Sequence, residues 1–180
     1  MEIEHEIRHL KIGVHKGEEL EKTPGLMVFK VESEDGSEIA LGKIKEVMQI
    51  VLEQSVRNWL SDDDWLKILP TWFVSACVPE RSIEQVEEDL VQWRSLSDEE
   101  QQRREEEESW SALEWLRWFQ PSDDPYDQRM WFWWDSWLQD ANSFFVVVEV
   151  TDVPLPLGSL MWLFKASGAK NIQQVQLPSL

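Results

Sequence analysis

The chain has 180 residues, 42% of them apolar, which is enough to build one domain with its own core and excludes a disordered chain. A formal charge of -18 repels phosphate backbones, so nucleic acid is excluded as a partner and a basic protein is favoured. Cys77 is the only cysteine, so no disulfide can form within the chain.

Met1-Glu2-Ile3-Glu4 lacks the basic start and apolar core of a signal peptide. The longest uncharged runs, Ile68 to Pro79 and Val153 to Phe164, are too short and proline-broken to span a bilayer. A cytoplasmic protein without a membrane segment is expected, with residues 1–180 as a single domain.

All three histidines lie near the start, in His5-Glu6-Ile7-Arg8-His9 and at His15. His5 and His9 are one helical turn apart with Glu6 beside the first, the zincin spacing, in which two His bind zinc and the Glu activates its water. His15 stands where the metzincin form places a third His. That form requires Gly at position 12, where this chain has Ile12 and puts Gly13 one residue late. The pattern also stands outside the strand context such proteases use. No metal or cofactor is therefore expected, and a zinc site at His5, His9 and His15 belongs to an alternative reading. The segment fits a helix through Ile3, Ile7, Leu10 and Val14, or a strand through Leu10, Ile12 and Val14.

Leu26 to Glu32 reads as a strand ending in the turn Ser33-Glu34-Asp35-Gly36. From Ser37 the stripe Ile44, Val47, Met48, Val51, Leu52 and Val56 predicts a long amphipathic helix. Ser61 caps a short helix that Pro70 interrupts, and the apolar run Thr71 to Val78 is buried in either conformation, with Cys77 an inert thiol. Ser82 opens a helix through Ile83, Val86, Leu90 and Trp93. Ser97 with Glu100 forms a capping box for a longer one, polar at first and core-directed from Trp110 to Phe119.

Residues 84–108 hold eleven acids and three Arg, a net of -8. A charged helix face is usually just solvated, but this one also suits a basic docking partner. Glu105 and Glu106 are its candidate contacts.

Trp131-Phe132-Trp133-Trp134-Asp135-Ser136-Trp137-Leu138 holds four of the twelve Trp. Met130, Trp133, Trp134, Trp137, Leu138 and Ala141 follow one helical face, which predicts a helix from about Pro125 to Ala141. Trp131 then points off the core stripe and is the candidate partner-facing indole. Phe144 to Val150 reads as a central strand, Leu157 to Ser167 as a helix capped by Gly168, and Ile172 to Leu177 as a strand parallel to the central one.

The fold class expected is α+β, a small mixed β-sheet covered by a Trp-rich helical layer. The expected function is a non-enzymatic protein-interaction module with an acidic helical face. The alternatives are a zinc-dependent hydrolase using the His-Glu-x-x-His pattern, or a small-molecule binder with a Trp-lined pocket.

Overall fold

The structure is a computed structural model that describes residues 2–13, 25–107, 109–122, 129–151 and 157–176. In chain order its elements are α1 (Ile3–Ile12), β1 (Leu26–Ser33), α2 (Ser37–Arg57), α3 (Asp62–Ile68), α4 (Thr71–Ala76), α5 (Ile83–Arg94), α6 (Asp98–Glu107), α7 (Ala112–Arg117), β2 (Trp131–Leu138), β3 (Ser143–Val150), α8 (Gly158–Ala166) and β4 (Ala169–Val175). The class is α+β, with one four-stranded sheet in the order β2-β3-β1-β4. All three pairings are antiparallel.

β3 is central and buried for six consecutive residues, as its Phe-Phe-Val-Val-Val run requires. β3 and β4 do run in the same direction across α8, but they are not neighbours. β1 lies between them and is antiparallel to both.

The tryptophan stretch corrects the expected helix. Residues 131–138 form the edge strand β2, paired with β3. The apolar spacing that looked helical comes from a bulge. Trp133 pairs with Val148 and Asp135 with Val147, leaving Trp134 as the extra residue, so the alternation changes phase there. Aromatic and β-branched side chains packing across neighbouring strands outweigh the helical periodicity.

One sheet face carries the main core. Phe29, Val31, Trp131, Trp133, Phe144, Val146 and Val148 pack there with α2 (Ile44, Met48, Val51), α3 (Trp65), α4 (Phe73), α7 (Trp115) and α8 (Leu163, Phe164). Four indoles of this core, Trp65, Trp115, Trp131 and Trp133, are fully buried. Rings run in series from Phe73 to Trp115 (4.8 Å), Phe119 (4.6 Å) and Trp131 (5.8 Å). Ser159 at the start of α8 serves two of them. Trp115 Nε1 donates to its carbonyl (2.8 Å) and Trp131 Nε1 to its hydroxyl (3.0 Å). The opposite face holds a smaller cluster of Val28, Phe145 and Val147 beside Trp134, Trp137 and Val175.

The expected helix running from Ser97 into Trp110–Phe119 is two helices. α6 ends at Glu107, and a second capping box, with Ser111 and Glu114 bonding each other's backbone amides, starts α7. The run after Pro70 forms α4 and then a single parallel bridge from Val78 to Ser111. β4 begins earlier than expected, at Ala169, right after Gly168, whose φ of 101° makes the left-handed turn out of α8. Leu177 lies outside the described residues. Among the described residues no helix is long and apolar enough to cross a membrane.

Candidate functional site

Three places bear on function: the N-terminal histidine helix, the indole of Trp131, and the acidic helix pair.

The first segment is helical, and Ile3, Ile7 and Leu10 turn toward the core. Glu6 falls within that same stripe and is fully buried. Its carboxylate receives Arg129 through both terminal guanidinium nitrogens (2.8 and 2.5 Å) and also accepts the Trp133 amide (2.7 Å). That amide lies in the sheet's edge strand, so Glu6 takes the place of a neighbouring strand and α1 covers that edge. Arg129 is held in turn over the rings of Phe119, Trp131 and Phe132, 4.5–4.9 Å from their centroids.

His5 is exposed and His9 is 8% exposed, with ring centroids 4.6 Å apart. His9 packs edge-on against Trp134 at 4.7 Å. Gly13 ends the helix at φ 75°, and a Cβ there would stand 3.0 Å from the Asp135 carboxylate. Lys45 is half-buried nearby, and its pKa is lowered by desolvation against the opposing pull of Asp135. Glu6, which the zincin spacing would make the water-activating base, therefore has both oxygens engaged in holding α1 to β2. His15 lies outside the described residues. Among those described, no group of three or more His, Cys, Asp or Glu is placed to hold a metal ion. Cys77 is half-buried, and burial pushes its thiol up to about 11, against a smaller opposing pull from the Trp162 indole. It is protonated at neutral pH.

Trp131 is not the exposed indole expected from a helix. In a strand, side chains alternate faces, and Trp131 shares the core face with Trp133 at zero exposure. Within β2 the indoles with partial access are Trp134 and Trp137, on the other face.

The acidic pair α5–α6 is built differently from everything around it. The chain leaves the body at Val78 and returns at Trp110 and Ser111, where Val78 N donates to Trp110 O (3.1 Å) and the bridge closes. No described residue from 78 to 109 belongs to either hydrophobic cluster. Both helices start on capping boxes. Ser82 Oγ accepts the Gln85 amide and Ser97 Oγ the Glu100 amide, while Gln85 and Glu100 accept the Ser82 and Ser97 amides in return.

Arg81 anchors the base. Its Nη1 donates to Asp89 (2.7 Å) and its Nη2 to Glu114 on α7 (2.5 Å). Arg104 of α6 reaches Asp89 at 3.6 Å, and Gln101 donates to the Trp93 carbonyl (3.0 Å), so α6 folds back along α5. Burial alone would raise the Glu114 pKa, but hydrogen bonds from Arg81 and Ser111 outweigh it and the net shift is down. Glu84 is lowered by hydrogen bonds from its own amide and Ser82, and Glu100 by those from Ser97. These acids are charged at neutral pH.

On α5, Glu84, Glu87 and Glu88 are exposed, and so are Val86 (42%), Leu90 (44%) and Val91 (68%). Glu105 and Glu106, the acids first singled out, fall in the last turn of α6, where only the backbone is described. The stripe of Val86, Leu90 and Trp93 is legible in the sequence as a helical face; its exposure is not. The buried role of Glu6 had a signal, since an acid between Ile3, Ile7 and Leu10 on one stripe requires a cation, and Arg129 supplies it.

No protein-family model, curated protein or solved structure matches the chain.

Proposed function

We propose that this protein is a non-enzymatic interaction module that docks a basic protein through the α5–α6 hairpin. One observation carries the reading. A segment that leaves and rejoins the body beside the Val78–Ser111 bridge adds no described residue to either hydrophobic cluster, yet exposes three branched apolar side chains among acids. Residues 84–108 contribute -8 of the chain's -18. A field of that sign steers a basic partner toward it and repels nucleic acid. The occupation of Glu6 by Arg129 and the Trp133 amide counts against the hydrolase alternative.

The test is affinity capture from native extract, with captured proteins identified by mass spectrometry. The bait is the full chain or its Glu84→Gln, Glu87→Gln, Glu88→Gln, Glu99→Gln variant. A basic protein held by the first, released by salt and missing from the second is the expected result. The same proteins on both baits would sink the reading.

A further inference from the structure

The chemistry of the hairpin narrows the form its partner takes. This inference rests on the docking role proposed above. Within α5, Val86, Leu90 and Trp93 are spaced by four and three residues and share one stripe. α6 closes only the far end of it. There Trp93 is half-buried, and Gln101 bonds the carbonyls of Trp93 and Leu96. The nearer part stays open, with Val86 and Leu90 more than two-fifths exposed.

At about 100° per residue, Glu87 lies between Leu90 and Val91 around the helix, Glu84 lies just beyond Val91, and Glu88 falls on the side opposite the Val86–Leu90 line. The open surface of α5 is thus an apolar line of Val86 and Leu90 bordered on one side by Glu87, with Val91 and Glu84 farther round that side. Asp89, on the other side of the line, is taken up by Arg81 and Arg104.

Purely electrostatic capture of an extended basic tail needs acids alone, and apolar side chains at helical spacing add nothing to it. An apolar line with a charged border instead matches the apolar-centred, polar-rimmed anatomy of protein interfaces. Anchors three and four residues apart are how one helix reads another. We propose that α5 seats a cationic amphipathic helix of the partner. The apolar side of that helix lies along Val86 and Leu90, and its Lys and Arg side chains lie against Glu87 and, farther round, Glu84.

The test titrates the full chain into two fluorescently labelled synthetic peptides of identical Lys and Leu composition. One has Leu at helical spacing; the other is scrambled so that no apolar face forms. The amphipathic peptide is expected to bind at least about tenfold more tightly, a difference of about 1.4 kcal/mol. Val86→Ser with Leu90→Ser leaves every charge in place and should bring the two peptides to equal affinity. Glu84→Gln with Glu87→Gln and Glu88→Gln should weaken both.

Equal binding of the two peptides to the unaltered chain overturns the helix-docking inference and leaves the acidic docking role standing. Binding of neither peptide overturns both. Ile39→Ser with Val56→Ser removes comparably exposed apolar groups from α2 instead. If that variant also abolishes the preference, or if the Val86/Leu90 variant keeps it, the stripe is not the seat and the inference fails.

Discussion

In the body of the molecule even an acid is buried: Glu6 has no exposure, and Ile44, Val51 and Trp115 of the core have none either. In the α5–α6 hairpin Val86, Leu90 and Val91 are 42–68% exposed. Both regions contain amphipathic helices, and α2 and α5 would read alike on a helical wheel. They differ in what stands opposite. α2 faces a sheet that offers Phe29, Val31 and Val146, whereas α5 faces only a polar helix folded back from it. An apolar stripe records what a helix can bury. Burial itself needs a partner surface, and for α5 the chain supplies little of one.

Substitutions should separate the two regions sharply. The largest effect is expected at Trp133, where Trp133→Ala empties a fully buried site and should cost roughly 3–5 kcal/mol in chemical denaturation. Trp131→Ala should fall in the same range, since it also loses the Ser159 hydrogen bond. A loss under about 1.5 kcal/mol at Trp131 would restore the helical reading of this stretch, with its surface indole.

Next is the clamp between α1 and β2. Glu6→Gln leaves the Arg129 charge buried against a neutral partner and should cost about 3 kcal/mol. Replacing both, as Glu6→Leu with Arg129→Met, should recover part of that loss. If the double variant is no more stable than Glu6→Gln, the pair is not what makes the single change costly.

At the hairpin base the effects are smaller and local. Arg81→Ala should lower global stability by about 1 kcal/mol or less, because the pair with Glu114 is partly exposed. Amide exchange in residues 83–107 should nevertheless speed up while β3 stays protected. The pH dependence follows from Glu114. Its folded pKa is lowered, so the stabilisation from this anchor is complete above the unfolded value near 4.5 and is lost as pH falls through the lowered folded value. Hairpin exchange should accelerate over that acid range in the unaltered chain and show a smaller step in Arg81→Ala, where the Ser82 and Ser97 hydrogen bonds to Glu84 and Glu100 still titrate.

The smallest effect is expected from the most drastic change. Replacing residues 84–107 by a short Gly-Ser linker should alter the stability of the body by under about 1 kcal/mol, since the bridge at Val78 and Ser111 already holds the ends together. A variant that fails to fold would show that the hairpin belongs to the core after all.

Much of the secondary structure is legible in local chemistry. The stripe from Ile44 to Leu52, the caps at Ser61, Ser82 and Ser97, the central Phe144–Val150 strand and the Gly168 turn all follow from spacing and backbone preference. The second capping box at Ser111 and Glu114 was equally present, but the run of Trp and Leu around it reads as one continuous helix. The candidate site was legible as charge and as the helical stripe of Val86, Leu90 and Trp93. The acids of residues 84–108 are plain in the sequence, whereas the open side of α5 and the anchor of Arg81 on Glu114 are not.

The sequence by itself determined an α+β chain with a Trp-rich interior and an acidic helix pair, because composition and periodicity act over a few residues. Only tertiary structure decided that residues 131–138 are a strand. A bulge at Trp134 shifts the pleat by one residue and imitates helical spacing, and only the pairing with β3 distinguishes the two. Tertiary structure likewise decided that Trp131 is core and Glu6 is buried, since each depends on a partner far along the chain: Ser159 for the indole, Arg129 for the carboxylate. A side chain's burial depends on what faces it, and that is set by contacts between residues more than a hundred positions apart as much as by the residue itself.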